Sequence, residues 1–431
     1  MRTVRLWLVF LAAGLAPVAG WAQFLETTVR VGQGPIDVLW NPVSNRVYTA
    51  NSLDNTVTII DGATNQVRAT LAVADFPLAL CWNSAANKVY CLCPEDNIVE
   101  VIDGWGDSIM ARVQVADYPS HAAFSATMNK LYVSRTDTGS LVVIDGSADT
   151  VLHEIPLARE GPSLMLWHPG TNRLFCTGDS VTVIDCAVDE VVAGLRVTTT
   201  PYQWCYNPVN GLVYLGGSRG THVFCARGDS LVTVVPGTVW WLCAVPYPNK
   251  LYLYDWEVLP RVRVLDCSSN TVSDSVSVYG GPMVCDTTKG KVYASCYGSH
   301  NLVSVLDAVA DTVLATIPLP GPMPGSLCWN RTESRVYVAE EMGDLVYVLR
   351  DTTAGIAEAS PPAVSRCVRP GTVVRSAFSW PEAEFGQVID AGGRKVAEVR
   401  SGQNDLSRLP AGIYVVVGAD GSPTARFLKL K

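Results

Sequence analysis

The sequence predicts an all-β chain: an eight-bladed β-propeller closed by its N-terminal strand, with a small β-sandwich behind it. Three observations lead there. A dipeptide recurs as Val47-Tyr48, Val89-Tyr90, Leu131-Tyr132, Leu174-Phe175, Val213-Tyr214, Leu251-Tyr252, Val292-Tyr293 and Val336-Tyr337. The last copy stops one strand short, and the segment Phe24 to Val31 has the pattern of the piece it lacks. After Asp351 the periodic pattern gives way to a Pro-, Ala- and Thr-rich stretch. A repeat of about 42 residues built only of short apolar runs marks a propeller blade, because one small sheet cannot cover its own faces and must stack on its neighbours.

In the first copy, Pro35 to Trp40 reads as strand one, Asn41-Pro42 as a turn, and Arg46 to Ala50 as strand two. Thr56 to Ile60 and Gln66 to Val73 read as strands three and four. The opening proline recurs as Pro77, Pro119, Pro162, Pro201, Pro282 and Pro324, at a strand start where a missing amide proton costs no ladder bond. The sixth copy has Val239 instead, so seven blades is the alternative should that copy form no sheet. Asp61, Asp103, Asp145, Asp185, Asp266, Asp307 and Asp351 end strand three, where an Asp accepts the amides of a tight turn. Pairing Phe24 to Val31 with the last copy would close the ring and remove an exposed edge.

These copies resemble the YVTN family of β-propeller repeats. The match spans residues 24 to 351 and is carried by Val47-Tyr48-Thr49-Ala50-Asn51, Tyr132-Val133-Ser134, Tyr337-Val338-Ala339 and the Ile-Asp-Gly segments at 60 to 62, 102 to 104 and 144 to 146. Such propellers serve binding and catalysis alike, so the resemblance implies fold and not activity. Residues 352 to 372 read as a linker and 373 to 431 as a β-sandwich with strands at Val373 to Phe378, Phe385 to Asp390, Arg394 to Val399, Gly412 to Val417 and Thr424 to Leu430. That segment resembles a type IX secretion sorting domain in Asp390-Ala391-Gly392-Gly393-Arg394-Lys395-Val396, Leu409-Pro410-Ala411-Gly412-Ile413-Tyr414 and Lys429-Leu430-Lys431. The likeness implies engagement of secretion machinery and a final place at the cell surface or outside.

Residues 1 to 22 read as a signal peptide: Arg2 and Arg5, an apolar run from Leu6 to Leu15, then Gly20 and Ala22 before a cut at Gln23. A secreted or surface location is the expectation, with the periplasm as the alternative. No segment has the roughly 20 apolar residues of a membrane-spanning helix. Losing those two arginines takes the formal charge from -8 to -10, which repels nucleic acid. Of the 13 cysteines, Cys81, Cys205, Cys243, Cys285 and Cys328 stand at nearly one place on strand one and read as buried thiols, while Cys91 and Cys93, two apart on a strand, leave a bridge to a neighbouring strand open.

The chemistry sought gives no catalytic residue, no metal site and no cofactor. Gly216-Gly217-Ser218-Arg219-Gly220 spells a nucleophile elbow, but a strand feeds another strand there and not a helix. Arg227-Gly228-Asp229-Ser230 falls on a turn. His121, His153, His168, His222 and His300 lack ligand spacing, and His168 stands where other copies have a turn Asn. What remains is the face formed by the loops between blades and between strands two and three. Its binding candidates are Trp256, Trp240, Tyr297, Asp255 and Glu257, aromatics among carboxylates suited to a protein or glycan. On the same face, the repeated position of Phe76, Tyr118 and Tyr202 reads as packing between neighbouring blades. The expected function is a non-enzymatic binding or scaffolding propeller. The alternatives are a metal-dependent lactonase-like hydrolase with a site at the channel mouth, and a structural surface-layer component.

Overall fold

A computed structural model of the protein describes residues 23–115, 118–135, 138–157, 164–178, 180–255, 261–296, 300–351 and the strands between 372 and 429. The chain divides into two compact units, Met1–Ala354 and Gly355–Lys431.

The first unit is an eight-bladed β-propeller. Its eight sheets each have four antiparallel strands, and the copies at 35–72, 79–114, 119–156, 165–195, 201–235, 241–276 and 283–318 form blades 1 to 7. The sixth copy forms a sheet like the others despite Val239, so the ring has eight blades and not seven. Blade 8 takes three strands from 324–351 and its outermost strand from Gln23–Arg30. The first strands of successive blades touch in sequence, and that of blade 8 touches that of blade 1, so the ring is closed.

The recurring dipeptide explains the stacking. Adjacent residues on a strand point to opposite faces, and strand two lies inside each sheet. In blade 1, Val47 packs into the cluster shared with blade 8, and Tyr48 into the cluster shared with blade 2. Each later copy repeats this: Val89 faces back and Tyr90 forward, Leu251 back and Tyr252 forward, Val336 back and Tyr337 forward into blade 1. All eight pairs are fully buried. One apolar cluster therefore fills each of the eight interfaces.

A polar latch accompanies every interface. The first residue of strand two reaches the turn between strands three and four of the next blade: Arg46 to Asp107, Lys88 to Asp149, Lys130 to Asp189, Arg173 to Asp229 and Lys250 to Asp311, at 3.0, 2.6, 2.6, 3.7 and 2.5 Å. The forward-facing tyrosine donates to the same turn residue, Tyr132 to Asp189 at 2.5 Å, Tyr252 to Asp311 at 2.6 Å and Tyr337 to Asn65 at 2.7 Å. These turn residues sit at left-handed φ, from 41° at Asp229 to 60° at Asn65, a conformation that Asn and Asp tolerate better than other side chains. In blade 5 Leu212 stands in place of the basic residue, and the turn it faces carries Asn270, which takes the Tyr214 hydroxyl at 2.9 Å.

The turn aspartates behave as expected with one exception. Asp61 accepts the amides of Ala63 and Thr64, Asp145 those of Ser147 and Ala148, and Asp307 those of Val309 and Ala310. Asp351 differs, because the strand beside its own on that side is the N-terminal Gln23–Arg30 and not one reached through a hairpin. It lies buried opposite Gln23 and takes Lys291 at 2.6 Å and Lys289 at 3.0 Å.

At the seam, Gln23–Arg30 runs antiparallel to Leu345–Asp351 with a bulge between Leu25 and Thr27. Glu26 in that bulge accepts Arg335 through both oxygens, at 2.7 and 2.9 Å, and Arg350 at 2.8 Å. The hydrogen bond from Arg335 holds the Glu26 carboxyl below its usual range. A lowered folded pKa supplies stability above the unfolded value and loses it as pH falls through the folded one. Glu26→Gln is therefore expected to lower the urea midpoint near pH 7 and to leave it closer to that of the wild type near pH 3, read from paired denaturation curves.

Four of the first-strand cysteines pair opposite the tyrosine of their blade: Cys81 with Tyr90, Cys205 with Tyr214, Cys243 with Tyr252 and Cys328 with Tyr337. Cys285 is displaced one step, opposite Val292, because it stands directly before the turn residue Asp286, whereas Cys81, Cys205 and Cys328 stand two before Asn83, Asn207 and Asn330. All 12 cysteines among the described residues are free thiols.

The second unit contains a five-stranded sheet of Thr372–Val374, Gly386–Asp390, Lys395–Val399, Gly412–Val417 and Pro423–Lys429, and a two-stranded sheet of Ala377–Trp380 and Gly402–Asp405. The segment expected as one strand at 373 to 378 is divided between the two sheets, and Gly402–Asp405 is an additional strand. Residues 352–371 lie outside the described residues.

Candidate functional site: an aromatic arc on the loop face

The two ends of the ring differ in kind. One end carries the tight turns and the latches between neighbouring blades. The other carries the connections between blades and between strands two and three, and there the repeat varies.

Across blades 5 to 7 this loop face holds a run of rings. Tyr202, second in the strand Pro201–Asn207, stacks on Trp240 with centroids 4.0 Å apart and planes 4° from parallel. Trp240 meets Trp241 at 6.3 Å, and Trp241 meets Tyr254 at 5.8 Å. Tyr254 lies against Gly280, where an added Cβ would stand 2.9 Å from its ring. The neighbouring Tyr279 stacks on His300 at 4.0 Å. Tyr202, Trp240, Trp241, Tyr279 and His300 are half-buried and Tyr254 is buried, so packing holds the rings while the five half-buried residues keep part of their surface exposed.

The backbone beneath is tied down. The Trp240 amide donates to the Tyr254 carbonyl at 2.9 Å, joining the connection between blades 5 and 6 to the end of strand two of blade 6. Its indole Nε1 is buried and finds no hydrogen-bond partner among the described residues. Beside the arc, Gly237, Asp255, Arg261 and Arg263 line a cavity of about 190 Å³. Arg263 donates to the carbonyls of Pro236 at 2.7 Å and Thr238 at 3.0 Å. Gly237 between them has φ 103°, and a Cβ there would meet the guanidinium at 2.6 Å, so this place admits only glycine.

Among the residues expected to bind, Trp240 and Asp255 thus fall in one neighbourhood: Trp240 in the arc, Asp255 buried in the cavity wall directly after Tyr254. Trp256, Glu257 and Tyr297 lie outside the described residues. Tyr202, Tyr279, His300, Arg261 and Arg263 join the site, although the sequence does not mark them as binding residues. Tyr202 does not share the place of Phe76 and Tyr118, which precede the opening proline of their blades at φ 59° and 55°; it follows Pro201 within the strand, and its pairing with a ring in the next blade is visible only in three dimensions.

The polar groups of the inner strands are engaged in holding the ring. Asp37 accepts the amides of Val38 and Leu80, both at 2.9 Å, and the Ser326 hydroxyl at 3.0 Å, linking blades 8, 1 and 2. Burial pushes its carboxyl above the usual range. Gln203 accepts the Leu242 amide at 2.5 Å in the same way between blades 5 and 6. Both cap an inner edge strand that would otherwise leave amides unpaired. Burial also lowers His121, on the inner strand of blade 3, to about 4. No group of three or more His, Cys, Asp or Glu side chains is arranged for a metal ion among the described residues.

The other motifs are accounted for by the ring. Gly217 and Gly220 pair across a tight hairpin, Gly220 at φ 141°, and a Cβ on Gly217 would meet the Thr200 carbonyl at 2.5 Å. Asp229 of Arg227-Gly228-Asp229 occupies the latch position facing Arg173. His168 accepts the Thr171 amide at 3.1 Å, as Asn41 accepts that of Val43.

No protein-family model matches this chain, and no curated protein matches it. Among solved structures it is similar to dihydro-heme d1 dehydrogenase NirN in complex with DHE, with TM-score 0.63 and 14% identity over 89% of this chain and 81% of that one. It is similar to the computationally designed Ika8 protein, with TM-score 0.62 and 15% identity over 77% of this chain and 100% of the other. BamB from Moraxella catarrhalis matches with TM-score 0.61 and 11% identity, again over 77% and 100%. An enzyme and a designed protein thus share these blades. At such identities the likeness establishes an eight-bladed propeller fold and does not extend to activity.

Proposed function

We propose that this is a binding propeller whose loop face, across blades 5 to 7, captures a glycan or a protein segment on the aromatic arc. The observation that carries the reading is the Tyr202–Trp240 stack with its continuation through Trp241 and Tyr254. Flat rings held by packing give large contact area at small entropic cost, while their polar edges orient a ligand. The engagement of Asp37 and Gln203 in structural hydrogen bonds supports binding over hydrolysis at the channel. For delivery, the pattern of residues 1 to 22 supports export, and the sorting-like C-terminal segment supports a role for secretion machinery in carrying the propeller to the cell surface or beyond.

The test is a tryptophan-fluorescence titration of the full chain against neutral and acidic oligosaccharides and short peptides. At least one class is expected to bind. Trp240→Ala is expected to weaken that binding by about tenfold or more, since losing one aromatic stacking contact removes roughly 1–3 kcal/mol. Unchanged binding in both Trp240→Ala and Tyr202→Ala, with native circular dichroism, would contradict the assignment.

A further inference from the structure

The cavity beside the arc narrows the ligand. Arg261 and Arg263 are two apart on an extended run and so lie on the same side. Both line the cavity with Asp255, so its three charges sum to one positive. Arg263 is held by two carbonyls and wedged by Gly237, whereas Arg261 is exposed to solvent. At about 190 Å³ the space is smaller than the roughly 300–1,000 Å³ that enclose a whole small molecule. It suits a single charged substituent.

The connection 236–240 joins this cavity to the ring platform: Gly237 lines the one and Trp240 forms the other, three residues on. Asp255 follows Tyr254, whose carbonyl takes the Trp240 amide. Resting on the binding function above, we infer that the ligand is an acidic saccharide. Its pyranose ring lies on the Tyr202–Trp240 platform and its carboxylate meets the Arg261 guanidinium at the cavity. The CH face of a pyranose matches a flat apolar ring, and the planar guanidinium fork matches a carboxylate in a way that an ammonium does not.

The experiment is calorimetric titration of the full chain with tri-galacturonic acid and, separately, with neutral galactotriose at low ionic strength. The acid is expected to bind about tenfold more tightly or better, the worth of one charge-assisted contact of roughly 1.5–3 kcal/mol. Arg261→Gln should bring the acid-to-neutral affinity ratio down to about one, Arg261→Lys should keep only part of the preference, and Trp240→Ala should weaken both sugars. Equal binding of acid and neutral sugar by the wild type, or a preference surviving Arg261→Gln, would overturn the inference while leaving a Trp240-dependent binding face standing. Failure of both sugars to bind would overturn the inference, and peptide binding dependent on Trp240 would then show that the binding function survives it.

Discussion

Deleting residues 23 to 30 is expected to open the ring and to remove more stability than any single substitution. The strand Gln23–Arg30 supplies the whole outer ladder of blade 8 and, through Glu26, the partner of Arg335 and Arg350. Without it the edge of Leu345–Asp351 is bare, with Val346, Tyr347 and Val348 robbed of cover on one side. The loss is expected to exceed about 5 kcal/mol, the lower end of the stability of an entire domain. An unpaired apolar edge also recruits other chains. Thermal unfolding with size-exclusion chromatography checks both effects. A monomeric deletion variant melting within about 3 °C of the wild type, a shift worth roughly 2 kcal/mol in a unit this size, would show that the seam does not hold the ring.

The second large effect is expected at a latch. Lys88→Leu leaves Asp149, whose side chain is 9% exposed, without its cation, and among the described residues the Tyr90 hydroxyl at 3.4 Å remains as its side-chain partner. Stranding one member of a buried pair costs about 3–5 kcal/mol. Replacing both members is far milder, and the protein already contains that solution where Leu212 faces the turn of Asn270. Lys88→Leu with Asp149→Asn is accordingly expected to regain all but about 1–2 kcal/mol, since a neutral hydrogen-bonded group replaces a bare charge. A double-mutant cycle in urea measures it. Additive losses would mean that the two side chains stabilise the ring separately.

The fold was legible because its determinants are local and repeated. Tyr48 and its seven counterparts mark the strand buried on both faces, and the strand missing after Asp351 points to the spare one near Phe24. The latch left a trace as well: Arg46, Lys88, Lys130, Arg173, Lys250, Lys291 and Arg335 each stand directly before the dipeptide. Its meaning was hidden because the partner lies in another blade, as Asp149 does from Lys88. Asp351 misled for the same reason. It shares the position of the turn aspartates, but its partner in space is Gln23 of the N-terminal strand and not a hairpin of its own.

The site was legible only in part. Trp240 and Asp255 stood out as an aromatic and a carboxylate on the loops that form the variable face. Tyr202 takes in blade 5 the place that Trp240 takes in blade 6, and only stacking across a blade interface makes it half of a platform. Arg261 and Arg263 gained significance from Gly237 and the two carbonyls around it, an arrangement set by backbone geometry across a sheet.

The most direct measurement of the central claim is hydrogen exchange of the full chain, free and saturated with the tightest ligand from the binding panel. Exchange is expected to slow in the connection 236–240, at the end of strand two around Tyr254 and near Tyr279, and to stay unchanged at the opposite turns around Asn45, Asn65 and Asp149. Protection at those turns, or along the inner strands near Asp37 and Gln203 without change at Trp240, would place the ligand elsewhere and contradict the account.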